Sequence, residues 1–247
     1  MTKIKCVIAA GGLGTRLKNF RNSDTTKMLL EVNDIPMINR QISQLINWGL
    51  DEFVIITNPE FKSLTVDVVK AKFANINIEY AIQETPEGIS HALLQAKPFL
   101  NDVKTTVFVL GDNFFEFNPF SVTKFDLEKF DKGCSIFTYE VDNPSDFGVA
   151  VYDSEGNVTS IEEKPENPKT NKAIVGIYIY DDTVIEKIET LKPSLRGEYE
   201  ITDLNNLYIS ANSSASVRAV PVIPDISVSY THLRAHETLR YLVWRRV

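Results

Sequence analysis

The chain has 247 residues, 43% of them hydrophobic, enough to bury one large α/β core or a core with an appended lobe. A formal charge of −7 excludes a general nucleic-acid or membrane surface, which needs clustered positive charge, so anionic ligands must be held by a few local cations. No run of about 18 apolar residues occurs, and Lys3 and Lys5 precede an apolar stretch too short for a signal peptide, so the expected compartment is the cytoplasm.

Residues 3–9 are a short apolar run ending at glycine, as in a buried parallel strand. A helix is predicted over 36–48, with Pro36 in its first turn and Ile38, Ile42, Leu45 and Ile46 on one face. A strand over 52–57, a helix over 61–73, a strand over 76–82, a helix over 89–96 and a strand over 105–110 continue the alternation, which implies parallel βαβ units. Ligands in such sheets collect beyond the carboxyl ends of the strands, and the segments 11–16, 83–88 and 111–113 each follow a predicted strand. From residue 133 the texture turns β-rich, with strands predicted over 134–141, 148–152, 158–163 and 173–180 and a hairpin turn at 153–157. Helices over 181–191 and 199–211 and a late strand over 215–220 follow, and this half is expected to form a second lobe closing the pocket. Cys6 and Cys134 lack metal-ligand spacing and are expected to be buried small hydrophobes.

Residues 228–247 read differently. The run from Val228 through Thr231-His232-Leu233-Arg234-Ala235-His236-Glu237-Thr238 resembles the conceptual translation of a transposon-based sequencing adapter. This segment is expected to be foreign to the fold, with the true sequence cut near Ile226. His232 and His236, four apart, are therefore not taken as metal ligands.

The densest chemistry lies near the start. Ile8-Ala9-Ala10-Gly11-Gly12-Leu13-Gly14-Thr15-Arg16-Leu17 runs from an apolar strand into a glycine turn ending in a cation, and Lys27 follows. Glycines at 11, 12 and 14 would let the backbone take positive φ and press N–H groups against phosphate oxygens, with Arg16 and Lys27 neutralising the charge. This is a nucleoside triphosphate pocket in outline. A dinucleotide-binding turn would need a different glycine spacing and an acid at the end of the second strand, where Thr57-Asn58 stands.

Further segments agree in order and spacing with one family: Lys27-Met28-Leu29-Leu30, Pro36-Met37-Ile38, 83–88, Leu110-Gly111-Asp112-Asn113, Phe147-Gly148-Val149, Glu162-Glu163-Lys164-Pro165 and Arg196-Gly197-Glu198-Tyr199-Glu200-Ile201-Thr202-Asp203. From residue 3 to about 224 the chain resembles the sugar-1-phosphate nucleotidylyltransferases, nearest in pattern to those that join dTTP and glucose 1-phosphate. The resemblance implies a mostly parallel Rossmann-like α/β sheet flanked by helices, with a β-rich sugar-binding lobe. It divides residues 1–227 into a nucleotide part over about 1–132 and a sugar part over about 133–227.

The implied reaction is in-line attack of the sugar phosphate on the α-phosphorus, expelling pyrophosphate, with charge neutralisation as the protein's main task. By this resemblance Arg16 and Lys27 are catalytic, and Gly11, Gly12, Gly14 and Thr15 cradle the triphosphate. Gln83, Pro86 and Gly88 form the base site, where an amide can donate and accept against a pyrimidine imide. Gly148, Glu163 and Ile174 would hold the sugar, Lys164 and Arg196 its phosphate, and Asp112 a Mg²⁺ ion. The resemblance also suggests a homo-oligomer, with no nucleic-acid or membrane partner. The family's second metal aspartate is missing from its place after the strand at 217–222, and Asp225 lacks the glycine that should follow it. A chain without that ligand should bind nucleotide and turn over slowly. Alternatives are a UTP-dependent uridylyltransferase and a silent sugar-nucleotide-binding regulator, although the latter should have lost the cations retained here.

Overall fold

A computed structural model of the chain describes residues 3–12, 25–115, 118–211, 217–221 and 227–229. The first strand, β1 (Ile4–Ala9), is followed by a two-stranded ladder of β2 (Glu31–Val32) and β3 (Ile35–Pro36), helix α1 (Met37–Asn47), β4 (Glu52–Thr57), α2 (Lys62–Phe73) and β5 (Asn77–Ile82). Then come α3 (Ile89–Leu94), β6 (Thr105–Leu110), β7 (Asn113–Phe115), α4 (Pro119–Thr123), β8 (Cys134–Glu140), β9 (Gly148–Tyr152), β10 (Val158–Glu163) and β11 (Lys172–Asp181). Helices α5 (Val184–Thr190) and α6 (Ile201–Ala211) precede β12 (Val217–Pro221) and β13 (Ser227–Ser229).

Among the described residues nine strands form one mixed sheet, with the path β10-β9-β11-β6-β1-β4-β5 and with β8 joining β11 to β12. The β1–β6, β1–β4 and β4–β5 pairs are parallel, as the alternating elements require, and β1 lies between β4 and β6. Alternate residues of the central strands feed opposite faces. Ile8 and Phe53 join a cluster with Ile38, Ile42 and Leu45 of α1, while Val7, Val54 and Ile56 join one with Leu93, Ile188 and Leu204 from α3, α5 and α6. The α1 face, spaced i, i+4 and i+7, is fully buried at Ile38, Ile42 and Leu45, each contributing about 1.5–3 kcal/mol of burial free energy.

The β-rich half continues this sheet. Strand β11 lies antiparallel to β6 through residues 177–181, while residues 172–174 and 178–180 pair with β8 and Ala173 meets Val149 of β9. The register of β11 against β8 shifts between Ile174 and Tyr178, at Gly176. The helix expected over 181–191 begins instead at Val184, because Asp181 ends β11. Its carboxylate accepts the Gly133 and Thr183 N–H groups and the Tyr208 hydroxyl. The helix expected from residue 199 begins at Ile201, since Tyr199 is tied to Glu87 and Ser90.

The β2–β3 hairpin was not among the sequence expectations. Asn33 and Asp34 turn it with φ of 51° and 57°, the left-handed pair that a two-residue hairpin requires and that these residue types tolerate. Cys6 and Cys134 are free and buried, as expected. Strand β13 runs antiparallel to β7 in a separate two-stranded sheet, with Val228 opposite Phe114 and Ser229 opposite Asn113, so the backbone of these first residues of the adapter-like stretch pairs with the rest of the chain. Asp225, His232 and His236 lie outside the described residues. No helix among the described residues is long and apolar enough to cross a membrane.

Candidate functional site

The carboxyl end of β1 leads into Ala10, whose N–H donates to the Ile56 carbonyl at 2.8 Å, and then into Gly11 and Gly12. Asn58, just past β4, donates to the Gly11 carbonyl at 3.4 Å and accepts the Phe61 N–H at 2.9 Å, so it braces the turn. The positive φ expected at Gly11 and Gly12 is not found; among the described glycines it occurs at 49, 88, 133, 156 and 197. A Cβ on Gly11 would lie 3.5 Å from Gln83 Oε1 and 3.4 Å from the Thr57 carbonyl carbon, whereas one on Gly12 would meet nothing within 4 Å. Among the described residues nothing occupies the space beside Gly12. Gly14, Thr15 and Arg16 lie outside the described residues.

At the end of β6 the backbone closes on β1, with the Gly111 N–H donating to the Ala9 carbonyl at 3.0 Å. A Cβ on Gly111 would come within 2.9 Å of that carbonyl and 2.8 Å of the Met28 methyl, so only glycine permits the approach. Asp112 follows, and Lys27 Nζ donates to its Oδ2 at 2.8 Å. The Lys27 side chain is 9% exposed and that of Asp112 23%, a largely desolvated pair in which each charge needs the other. Lys27 is carried on a 3₁₀ turn over Lys27–Leu29 capped by the Thr26 hydroxyl. Asn113 Nδ2 takes the other oxygen, Asp112 Oδ1, at 2.9 Å, and Asn113 Oδ1 accepts the Gly176 N–H at 3.2 Å.

Gln83 follows β5 and is buried. Its Nε2 lies 3.3 Å from the Gly88 carbonyl and 3.3 Å from His91 Nδ1. Gly88 has φ of 109°, and a Cβ there would lie 2.6 Å from the Tyr199 carbonyl oxygen. The loop is stitched to the 196–200 segment, with Tyr199 N–H donating to Glu87, Ser90 N–H to Tyr199, and the Ser90 hydroxyl to the Glu200 carbonyl. Pro86 is exposed.

In the second half, Gly148, Glu163, Ile174 and Thr202 surround one point. A Cβ on Gly148 would lie 3.4 Å from Glu163 Oε2, 3.5 Å from Thr202 Oγ1 and 3.8 Å from Ile174 Cδ1. The Thr202 hydroxyl donates to Glu163 Oε2 at 2.6 Å. Glu163 Oε1 faces two cations, Arg196 Nη1 at 3.8 Å and Lys164 Nζ at 3.9 Å. Arg196 also donates to Glu198 at 3.0 Å and approaches Glu200 at 3.7 Å. Burial raises the Glu200 carboxyl above its ordinary range against the Ser194 bond and the Arg196 charge. Asp203 is raised by burial and then by the negative charge of Glu163.

The structure therefore gathers the expected residues into two groups. Gly11, Gly12, Lys27, Gln83, Gly88 and Asp112 lie beyond the ends of β1, β5 and β6, and Gly148, Glu163, Lys164, Ile174 and Arg196 lie around the far end of β10. The Asn113–Gly176 bond and the Tyr199–Glu87 bond join the two. Asn58, His91 and Thr202 carry roles that sequence reading did not give them. Thr202 stood inside a quoted motif, and His91 is the one histidine outside the 228–247 stretch, which was the available signal.

A parallel-core α/β sheet with a glycine turn and a buried lysine–aspartate pair at its carboxyl edge defines a nucleotide-site enzyme class. The nucleotidyl transferase family profile matches residues 5–219, and the chain belongs to that family of transferases. It is 40% identical over 215 residues to a glucose-1-phosphate thymidylyltransferase of Xanthomonas campestris, across 85% of this chain and 71% of that one. It is 38% identical over 214 residues to the protein of the same name from Neisseria meningitidis, across 85% and 73%. A solved Bacillus anthracis structure, described as a glucose-1-phosphate thymidylyltransferase in complex with a sucrose, superposes with a TM-score of 0.77 at 34% identity, covering 89% of this chain and 87% of that one. A UDP-glucose pyrophosphorylase complexed with UDP-glucose shares the fold, with a TM-score of 0.73 at 22% identity and coverage of 86% and 88%. Family membership agrees with the absence of a dinucleotide-binding turn, and Asn58, which stands where that turn would need an acid, commits its amide to Gly11 and Phe61.

Proposed function

We propose that the chain transfers a thymidylyl group from dTTP to glucose 1-phosphate, giving dTDP-glucose and pyrophosphate. A phosphate oxygen of the sugar attacks the α-phosphorus, the bond to the bridging oxygen of the β-phosphate breaks, and the electron pair leaves with pyrophosphate. The observation that carries this reading is the Lys27–Asp112 pair, 2.8 Å apart, set between the Gln83 side and the Glu163 side of the edge. Phosphoryl transfer of this kind asks for positioned charge rather than a protein nucleophile. Lys27 is assigned to the leaving pyrophosphate, Arg16 to the triphosphate, and Gly11, Gly12, Gly14 and Thr15 to its cradle. Gln83 and Gly88 read the base, with Pro86 at the rim.

Gly148, Glu163 and Ile174 take the sugar hydroxyls, and Lys164 and Arg196 the sugar phosphate. Residues 133–227 thus act as the sugar part of the fold and about 1–132 as the nucleotide part.

Among the described residues no three His, Cys, Asp or Glu side chains cluster as a metal cage. Asp112 nevertheless fits Mg²⁺, which is commonly held by one or two carboxylates together with substrate phosphates and water. When bound there, Mg²⁺ would supply positive charge to the phosphate oxygens. Asn113 keeps Asp112 Oδ1 oriented, and Lys27 shares Oδ2.

Uracil presents the same imide edge as thymine, and the thymine methyl is worth only about 1–3 kcal/mol of discrimination, so UTP is the close second substrate. Pyrophosphate release with dTTP, UTP and CTP, each with glucose 1-phosphate and with other sugar 1-phosphates, with and without MgCl₂, tests the proposal. Preferred turnover of dTTP with glucose 1-phosphate supports it. A preference for CTP, or nucleotide binding without turnover in Mg²⁺, overturns it.

A further inference from the structure

Gln83 Nε2 lies within 3.3 Å of the Gly88 carbonyl oxygen, an acceptor with no proton to give, so that end of the amide is the donor. Its second contact is His91 Nδ1, also at 3.3 Å. With both Nε2 protons directed at Gly88 and His91, the end left over is Oε1, the atom that faces Gly11 across 3.5 Å from its would-be Cβ. His91 is held by its own neighbours. Its ring stacks on Tyr199 with centroids 5.9 Å apart, and its backbone carbonyl accepts the Gln95 amide at 3.0 Å.

We infer that His91 is a positioning residue for base recognition, accepting from Gln83 through Nδ1 and so locking the amide with its carbonyl toward the nucleotide. This rests on the reading that Gln83 contacts the base, and it narrows what that contact can be. An outward-facing acceptor matches the N3–H of thymine or uracil and opposes the lone pair at N3 of cytosine. The amide no longer donates and accepts toward the base at once, as the sequence had suggested. Selectivity for an imide over cytosine then depends on a residue that does not touch the nucleotide.

The test is calorimetric binding of dTTP and of CTP to the full chain. His91→Asn keeps an acceptor at the Nδ1 position, and His91→Phe keeps the stack on Tyr199 without any acceptor. His91→Asn should bind dTTP within about twofold of wild type, whereas His91→Phe should bind it about three- to tenfold more weakly, the worth of one hydrogen bond, with the gap between dTTP and CTP narrowed. Identical affinities for wild type and both variants overturn the inference. Gln83→Ala separates the two levels: if it weakens dTTP while the His91 variants do not, the positioning role alone falls. If Gln83→Ala changes nothing, or wild type does not bind dTTP, the base-contact reading falls with it.

Discussion

The Thr202 hydroxyl reaches Glu163 Oε2 at 2.6 Å across 39 positions of chain, so the first turn of α6 holds the carboxylate at the end of β10. Thr202→Val keeps the shape and removes the donor, leaving Glu163 free to turn toward Lys164 and Arg196. The expected result is a KM for glucose 1-phosphate raised about tenfold with the KM for dTTP within about twofold, since one charge-assisted bond is worth about 1.5–3 kcal/mol. Thr202→Ser should restore most of the loss. Steady-state kinetics varying each substrate in turn checks this.

Asp112→Asn removes the charge that balances a Lys27 side chain only 9% exposed. Turnover should fall about a hundredfold or more, as for loss of a group that stabilises transition-state charge. Urea unfolding should show a loss of about 1–3 kcal/mol, because the lysine stays buried without its counterion. Lys27→Met should lower turnover similarly while costing less stability, since Asp112 retains Asn113 and more water.

Two glycines should separate stability from binding. Gly88→Ala meets a backbone oxygen at 2.6 Å with φ at 109°, and should lower stability by about 2–4 kcal/mol by parting the 83–88 loop from Tyr199. Gly12→Ala meets no described residue within 4 Å and should leave stability within about 0.5 kcal/mol. If phosphate oxygens approach there, its affinity for dTTP should nonetheless drop. Thermal melting alongside nucleotide titration distinguishes the two.

Burial raises the Glu200 carboxyl above its ordinary value of 4.5, so between that value and the raised one the native chain holds more protons than the unfolded chain. Stability from this group therefore falls as pH rises through that window and is level above it. Glu200→Gln cannot titrate, so wild type should gain stability relative to the variant as pH is lowered from about 7 to about 5. Paired melting curves at each pH read the difference directly. A difference that stays constant or changes sign the other way rejects the assignment.

Burial also pushes both thiols up, with Cys6 and Cys134 almost without solvent contact. Neither should react with iodoacetamide in the native chain at mildly alkaline pH, and both should react once it is unfolded. Timed labelling read by mass spectrometry checks this.

The parallel core was legible because its signals are local: apolar runs of strand length, glycine at their ends and an apolar face on α1. What could not be read were features set by distant partners. Asp181 was assigned to a helix because nothing nearby shows that Gly133 and Tyr208 would hold its carboxylate at the end of a strand. Nothing near Tyr199 and Glu200 shows that they stay outside α6, where Glu87 and Ser90 claim their backbone. The glycine turn was legible as a motif, but the backbone at Gly11 and Gly12 does not take the positive φ expected there. The charged and amide positions were readable only through ordered motifs, whereas the partners that aim them, His91 and Thr202, lie one contact further out.

The register shift in β11 gives the molecule a mechanical linkage. Gly176, within the shifted stretch, donates to Asn113, and Asn113 donates to Asp112, while the residues on both sides of Gly176 pair with β8 in different register. The peptide two residues past Ile174 is therefore hydrogen-bonded, through Asn113, to the carboxylate. The Ile174 side and the Asp112 side of the edge are thus joined by a short chain of hydrogen bonds that runs through Asn113.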